Sequence, residues 1–216
     1  MSKRPRPVEV ALFDYGAGNL HSLAKGLEAG GARVTVTTRW AEALAREALV
    51  LPGVGSFGAA VKALAGAEAQ VREALEAGLP CLGICLGMQL LFETSEESDG
   101  AGIGLIPGQV RRIRARTVPQ MGWNDVEPVV EAEPGAGGSD EPLFRHLAGM
   151  TAYYANSFVC EPVDEAHTIA WSTYGHDRFA AAVRRERCWG VQFHPEKSSA
   201  PGLRLLENFL DEVERS

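Results

Sequence analysis

The ten residues PCLGICLGMQ, at positions 80–89, decide the fold of this chain. The apolar run from 79 to 84 predicts a buried strand, and the run from 86 to 92, which has no turn signal, predicts a buried helix. Gly83 and Gly87 flank Cys85 at the junction, in the pattern G-x-C-x-G. A reactive residue on a tight strand-to-helix turn needs such small neighbours, because larger side chains two positions away would collide.

This turn would make the thiol of Cys85 reactive. Its sulfur would project above the sheet, and the N-terminus of the following helix would favour the thiolate over the thiol. A buried core cysteine beside a glycine-containing turn is the alternative, because free cysteines are mostly buried. The turn alone therefore leaves a nucleophile and a core thiol both open.

The length of 216 residues predicts a single α/β domain, residues 1–216, and no membrane anchor is expected. A hydrophobic content of 45% and a charged content of 23% are ordinary for a globular protein. The formal net charge of −7 argues against nucleic acid or an anionic membrane as a partner. No apolar run reaches membrane-spanning length, and the basic start lacks the hydrophobic core of a signal peptide.

Cofactors and metals are not expected either. The turn G-A-G-N at 16–19 lacks the third glycine of a dinucleotide fingerprint, because position 21 is His21. The cysteines lie in apolar contexts typical of strands, and no C-x-x-C or histidine-rich cluster predicts a zinc site. We expect a reducing, cytoplasmic compartment.

Strand and helix patterns alternate through the first half of the chain. Four strands are predicted there, at 8–14, 33–37, 48–51 and 79–84. Of the helices between them, the one at 59–77 is expected to break near Gly66. This alternation predicts a doubly wound, mostly parallel sheet with right-handed crossovers. Ligands bind at the carboxyl ends of such strands, where residues 16–19, residues 52–56 and Cys85 all fall.

Beyond residue 95 the patterns predict an antiparallel extension. Its strands are expected at 109–113, 124–130, 152–159, 168–174, 179–184 and 188–193. An acidic, glycine-containing loop is predicted at 93–104, and a flexible loop at 131–142. The apolar spacing of 203–213 predicts an amphipathic helix that closes the domain.

The motif His194-Pro195-Glu196 supplies what a cysteine nucleophile needs. The cysteine requires a base to manage its proton, and the base requires a group that fixes its tautomer. Residues i and i+2 of an extended segment point to the same side, so His194 and Glu196 can share a face. A histidine on a loop is usually solvated. Together with Cys85 and the glycine-rich loop 52–56, however, this one favours an active site at the strand ends.

The motifs G-I-C-L-G-M-Q and H-P-E resemble those of the triad-type (class I) glutamine amidotransferases, and the resemblance covers almost the whole chain. It implies a flavodoxin-like α/β fold and hydrolysis of L-glutamine through a thioester on Cys85. By this resemblance, His194 passes a proton to the leaving ammonia, and Glu196 orients and stabilises the imidazolium.

The same resemblance implies further site residues. The oxyanion would lie between the backbone N–H of Leu86 and one from the loop of Gly53 and Val54. Gln89 matches the position that helps to hold the substrate. The segment Asn156-Ser157-Phe158 stands where close relatives carry His-Thr-Tyr. That departure matters little if the strand binds glutamine through its backbone, and more if a side chain does the binding.

The ammonia must be used elsewhere, because the chain leaves no room for a synthase domain. M-G-W-N at 121–124 and H-P-E-K-S at 194–198 resemble glutaminase subunits of imidazole glycerol phosphate synthases. Their partner in histidine biosynthesis is a (β/α)8-barrel cyclase that receives the ammonia. The residues that correspond to the interface or substrate pocket are Asn19, Trp123, Tyr153 and Lys197. We expect the lone chain to be nearly inactive until the partner reorients the loop at 53–54.

Three alternatives remain open. The chain could serve anthranilate or aminodeoxychorismate formation as a related amidotransferase subunit. It could be a stand-alone thiol peptidase or γ-glutamyl hydrolase. A non-catalytic binding protein on the same fold would usually have lost a triad member, and all three members are present.

Overall fold

A computed structural model describes residues 6–215, with the exception of 17, 19, 130–140 and 148. Asn19 and nearly all of the predicted loop 131–142 therefore lie outside the described residues. The end of that loop is described: Pro142 begins a short 3-10 helix, Pro142–Phe144.

Strands and helices alternate through the first half of the chain, as predicted. The elements are β1 (Val8–Phe13), α1 (His21–Ala29), β2 (Ala32–Thr37), α2 (Trp40–Ala43), β3 (Ala48–Leu51), α3 (Phe57–Leu64), α4 (Glu68–Glu76), β4 (Cys81–Ile84) and α5 (Leu86–Gln89). The predicted break near Gly66 is confirmed, since this residue lies between α3 and α4 with a φ of +83°. The helix predicted at 86–92 is shorter than expected and ends at Gln89.

The second half consists mainly of strands and ends in one long helix. The elements are β5 (Thr94–Ser95), β6 (Gly108–Arg112), β7 (Gln120–Pro128), β8 (Met150–Asn156), β9 (Phe158–Pro162), β10 (Thr168–Tyr174), β11 (Asp177–Arg185), β12 (Cys188–Val191) and α6 (Ser199–Glu214). The helix α6 begins four residues earlier than its apolar spacing predicted.

Within the described residues, nine strands form the main sheet in the order β2-β1-β3-β4-β12-β11-β10-β7-β8. The first five are parallel to one another, and the pairs from β12 to β8 are antiparallel. The predicted doubly wound sheet with an antiparallel extension is confirmed. The last strand in sequence, β12, was expected in the antiparallel extension, but it is inserted between β4 and β11 and runs parallel to β4, with Val191 opposite Ile84. The residues that follow these two strands therefore emerge side by side.

Helices cover both faces of the parallel part of the sheet. Along β1, Leu12 faces a cluster that includes Phe209 of α6, and Phe13 faces a cluster that includes Phe57 of α3. Strands buried on both faces are apolar throughout, which explains the continuous apolar runs in the sequence. No helix among the described residues combines the length and apolarity needed to cross a membrane.

The prediction of one strand at 152–159 is wrong. The chain changes sheet at Ser157: Asn156 of β8 pairs with Gln120 of β7, whereas Phe158 of β9 pairs with Arg112 of β6. Strands β5, β6 and β9 form a second, three-stranded sheet that was not predicted. Its two-residue strand β5 lies inside the predicted loop 93–104 and is too short to show a periodicity.

Candidate active site

The turn between β4 and α5 holds Cys85 in a strained backbone conformation. Its φ of 47° and ψ of −103° are rare for a residue with a side chain. A Cβ on Gly83 would lie 2.6 Å from the carbonyl carbon of Gly87, and a Cβ on Gly87 would overlap the carbonyl oxygen of Leu51. Both glycines are therefore required by close backbone packing, as the G-x-C-x-G pattern predicted.

Backbone hydrogen bonds fix Cys85 on both sides. Its N–H donates to the carbonyl of Val191 at 2.7 Å, and its carbonyl accepts from the N–H of Gln89 at 3.1 Å. The first of these bonds ties the turn to the end of β12. The chain that leaves β12 toward His194 is thus anchored beside the sulfur.

The histidine segment is held by a polar clamp from β8. The backbone N–H of His194 donates to the carbonyl of Tyr153 at 2.8 Å. The N–H of Tyr153 donates to Oγ of Ser198 at 2.9 Å, and that hydroxyl donates to the carbonyl of His194 at 2.6 Å. Ser198 is fully buried, so water does not compete for these bonds.

His194 lies between a carboxylate and the thiol. Its Nδ1 donates to Oε1 of Glu196 at 2.9 Å, and its side chain is within hydrogen-bonding reach of Cys85. The two residues meet beside Gly53: a Cβ on this glycine would lie 2.8 Å from Cβ of Cys85 and 2.9 Å from Cε1 of His194. The structure thus brings together the nucleophile, base and orienting group predicted from the sequence.

The electrostatics favour a charged imidazole. Burial by itself lowers the pKa of His194, but hydrogen bonds to Cys85 and Glu196 and their negative charge outweigh it and raise the pKa to about 9. The second oxygen of Glu196, Oε2, is buried without a hydrogen-bond partner among the described residues. This carboxylate therefore directs its only described side-chain bond at the imidazole.

The other cysteines belong to the core. Cys81, Cys160 and Cys188 are buried free thiols. Burial raises the pKa of Cys81 and Cys160 well above the usual thiol range, and that of Cys188 to about 12. These thiols stay protonated at neutral pH. Within the described residues, no group of three or more His, Cys, Asp or Glu side chains has the arrangement of a metal site.

A small cavity opens in front of Cys85. Its volume is about 170 Å³. The lining residues are Gly53, Gly55, Cys85, Leu86, Gln89, Glu97, Ala155, Asn156, Ser157 and Phe158. A larger and more open depression of about 610 Å³ lies between residues 114–117 and 174–176, and none of the predicted site residues lines it.

The predicted oxyanion and substrate residues surround this cavity. Val54 is the exception: it does not line the cavity and packs against Gly18, since a Cβ on Gly18 would lie 2.5 Å from its Cβ. The side-chain amides of Gln89 and Asn156 both donate to the carbonyl of Phe158, at 3.3 and 3.0 Å. Oδ1 of Asn156 is buried without a partner among the described residues. The carbonyl of Phe158 is thus saturated, whereas that side-chain oxygen is available.

Sequence reasoning missed two side chains of this site. Gln192 is fully buried, and its Nε2 donates to Sγ of Cys85 at 3.5 Å. Ser198 completes the clamp on His194. The rule that residues i and i+2 share a side would have selected Gln192 together with His194. No local pattern identifies Ser198, because its partner Tyr153 is distant in sequence.

Three of the predicted interface residues lie together on one surface. Trp123 of β7, which is 56% exposed, meets the ring of Tyr153 edge-on at 6.2 Å between centroids. The ammonium of Lys197 lies 5.7 Å from the centroid of the same tyrosine ring. The backbone of Tyr153 in turn holds His194, so this surface is joined directly to the candidate site.

Comparison with known proteins identifies the family. The family model for glutamine amidotransferase class-I matches residues 11–213. The imidazole glycerol phosphate synthase subunit HisH of Gloeobacter violaceus is 44% identical over 95% of this chain and 90% of its own length. The HisH subunit of Microcystis aeruginosa is 43% identical over 95% of this chain and 96% of its own length.

Solved structures show the same fold at lower identity. The structure of PurLQS from Thermotoga maritima has a TM-score of 0.75 at 19% identity, over 96% of this chain and 99% of that one. A crystal structure described as a glutamine amidotransferase has a TM-score of 0.72 at 21% identity, with the same coverage of both chains. The chain therefore belongs to the class-I glutamine amidotransferases, in the family of the imidazole glycerol phosphate synthase subunit HisH.

Proposed function

We propose that this chain is the glutaminase subunit of an imidazole glycerol phosphate synthase. It hydrolyses L-glutamine to glutamate and ammonia, and the ammonia passes to a (β/α)8-barrel cyclase in a heterodimer. The observation that carries the proposal is the meeting of Cys85 and the His194–Glu196 pair beside Gly53, at the wall of a cavity of about 170 Å³.

In the first half of the proposed reaction, the Cys85 thiolate attacks the side-chain amide carbon of glutamine. A C–S bond forms, and the carbonyl π electrons move to oxygen as an oxyanion. When this intermediate collapses, the C–N bond breaks and the imidazolium of His194 gives its proton to the leaving nitrogen, which departs as ammonia. The raised pKa of His194, about 9, supplies that proton at neutral pH.

In the second half, a water molecule attacks the thioester. Neutral His194 takes a proton from the water, the C–S bond breaks, and glutamate leaves as the thiolate–imidazolium pair is restored. Glu196 holds the imidazole through Nδ1, so that Nε2 is the nitrogen that exchanges protons. The backbone N–H of Leu86 and one from Gly53–Val54 would stabilise both oxyanions.

The cavity wall offers a partner for the charged end of glutamine. The carboxylate of Glu97 lines the cavity and accepts a hydrogen bond from the N–H of Phe57 at 3.3 Å. A carboxylate suits the α-ammonium group of an amino acid. Gln89 and Oδ1 of Asn156, which has no hydrogen-bond partner within the described part of the chain, are the groups that we propose for the rest of the substrate.

Activation by the partner is part of the proposal. Free hydrolysis would waste glutamine, so we expect the lone chain to be nearly inactive. Val54 packs against Gly18, which connects the oxyanion loop to the turn that precedes helix α1. A partner that contacts this turn would change the orientation of the Gly53–Val54 peptide.

The compartment is also part of the proposal. The buried free thiols fit a reducing, cytoplasmic compartment.

The test is glutamate release with and without a cyclase subunit. We expect slow release by the lone chain, a large increase in the complex, and no release by Cys85→Ala in either state. Full activity of the lone chain would contradict partner activation, and activity of the Cys85→Ala variant would contradict the nucleophile. Complementation of a histidine auxotroph separates this function from an anthranilate-type or aminodeoxychorismate-type subunit.

A further inference from the structure

We infer that the side-chain amide of Gln192 is a catalytic donor to the sulfur of Cys85, held in the donating orientation by a hydrogen-bond relay that starts at the carbonyl of Phe158. The inference rests on the proposed role of Cys85 as nucleophile and adds a residue to that site. Gln192 is fully buried and follows β12, two positions before His194.

The contact itself places an N–H group at the reacting atom. Nε2 of Gln192 lies 3.5 Å from Sγ of Cys85, an ordinary separation for a nitrogen donor and a sulfur acceptor. Its backbone is also fixed, because its N–H donates to the carbonyl of Ala181 at 2.8 Å. A thiolate gains more from such a donor than a thiol does, because hydrogen bonds to charged groups are the stronger ones.

The orientation of the Gln192 amide follows from its neighbours. The carbonyl of Phe158 can only accept, so the atom of the Gln89 amide that faces it is the nitrogen, at 3.3 Å. The same Nε2 of Gln89 donates to Oε1 of Gln192 at 3.5 Å. With its oxygen turned to Gln89, Gln192 presents its NH2 group to the sulfur. The reversed amide would set a nitrogen of Gln192 against the nitrogen of Gln89 and an oxygen against the thiolate.

His194 and Gln192 act on the sulfur in different ways. His194 exchanges the proton, whereas Gln192 keeps its N–H and stabilises the negative charge on sulfur without being consumed. Gln89 acts as a positioning residue, since it fixes Gln192 through one bond. The relay also begins on the Asn156–Phe158 segment, which lines the glutamine cavity.

The first test uses Gln192→Met, which keeps the length of the side chain and removes the donor. Alkylation of Cys85 by iodoacetamide is followed against pH in the lone chain, with the modified peptide identified by mass spectrometry. We expect the acid limb of the profile to move up by about one pH unit, since a lost bond to a charged group is worth that much or more. In the complex with a cyclase, kcat/KM should fall about 10- to 100-fold.

Gln120→Met is the matched control. Gln120 is a third buried glutamine, 2% exposed and paired with Asn156 in the β7–β8 register, and neither of its amide atoms has a hydrogen-bond partner among the described residues. Its replacement removes a buried amide without removing a bond to sulfur. The alkylation profile of this variant should stay at the wild-type position. An equal shift in Gln120→Met would overturn the inference.

A second variant covers the case in which Gln192→Met does not fold. Gln89→Met leaves Gln192 in place but removes the bond that orients it, and iodoacetamide is too small to need the glutamine site. A shift of the acid limb in the same direction supports the relay. A profile that superimposes on the wild type, in Gln89→Met and in any folded Gln192→Met, refutes it.

These outcomes are separable from failure of the proposed function. If the wild-type complex releases no glutamate, the proposed function fails while the alkylation profiles still test the Gln192 contact. If the wild-type complex is active and Gln192→Met is equally active with an unshifted profile, only the contact loses its role.

Discussion

The two sides of the candidate site are built in different ways. The Cys85 side is steric: Gly83 and Gly87 let backbone meet backbone, and the nucleophile sits in a strained turn between them. The His194 side is polar: hydrogen bonds from Tyr153 and Ser198 hold the backbone, and Glu196 holds the ring.

This difference shows which parts of the fold fix the geometry of each half of the site. The steric half depends on the G-x-C-x-G turn and on the backbone of β3 at Leu51, and it has no room for a side chain at Gly83 or Gly87. The polar half combines β8, the loop after β12 and the start of α6, so it depends on the whole antiparallel extension. Substitutions should therefore affect the two halves in different ways.

The largest effect is expected for Glu196→Gln, which keeps the shape of the polar side and removes its charge. Activity in the complex should fall by about ten-thousandfold, as for replacement of the orienting carboxylate of a catalytic triad by its amide. The matched control is Glu207→Gln, a carboxylate on α6 remote from the cavity that pairs with Arg204. Activity within about twofold of wild type in Glu196→Gln would contradict the orienting role.

The Glu196→Gln variant should also change how the stability of the fold depends on pH. The pKa of His194 is raised from 6.5 to about 9, so its charged form stabilises the fold below about pH 6.5, and this stabilisation is lost as the pH rises through about 9. Without the Glu196 charge, the pKa should fall and the loss should begin at lower pH. NMR titration of the His194 ring and thermal unfolding between about pH 6 and about pH 10 measure both effects.

The steric side is tested by Gly87→Ala, for which we expect a stability loss of about 3 kcal/mol. The added methyl group would overlap the carbonyl oxygen of Leu51, a backbone atom that cannot move aside cheaply. Gly66→Ala is the control, because a Cβ there meets no atom within 4 Å and only the φ of +83° is unfavourable. Its loss should be about 1 kcal/mol. Equal losses by urea unfolding would remove the steric explanation.

The sequence predicted the steric half more completely than the polar half. The G-x-C-x-G pattern could be interpreted from the sequence alone, because the glycines that a tight turn requires are neighbours of Cys85 along the chain. H-P-E likewise brings His194 and Glu196 to one side through local geometry. These two motifs were enough to predict a shared site at the strand ends. The sequence placed the strand before His194 in the antiparallel extension, however, and only the structure shows that β12 runs parallel to β4, so that both strands end at the same edge of the sheet.

What sequence reasoning missed depends on contacts between distant residues. The run 152–159 is continuously strand-like, and only its partners, β7 before Ser157 and β6 after it, divide it between two sheets. Ser198 is a single hydroxyl whose role follows from its distance to Tyr153. Asn19 lies outside the described residues, so its proposed interface role stays a prediction.

The polar clamp is tested by Ser198→Ala. This change removes a donor and an acceptor at once and leaves the carbonyl of His194 and the N–H of Tyr153 without the hydroxyl. A stability loss of about 2 kcal/mol is expected, together with a lower kcat at nearly constant KM, because the histidine is displaced while the glutamine cavity is not. The control is Ser199→Ala, the adjacent exposed serine. An unchanged kcat in a destabilised Ser198→Ala would limit the clamp to a structural role.

The smallest effect on the lone chain is expected for Trp123→Ala, and it decides which half of the site receives the partner's signal. Trp123 is more exposed than buried and meets Tyr153 edge-on, so its loss should lower stability by about 1 kcal/mol or less. The alkylation rate of Cys85 in the lone chain should stay unchanged, because the clamp uses the backbone of Tyr153 and not its ring.

The affinity of Trp123→Ala for a cyclase, measured by titration calorimetry, should fall by about tenfold or more, as for an exposed aromatic anchor of an interface. If affinity is unchanged, the partner docks elsewhere, and Gly18, which packs against Val54, becomes the better candidate for its contact.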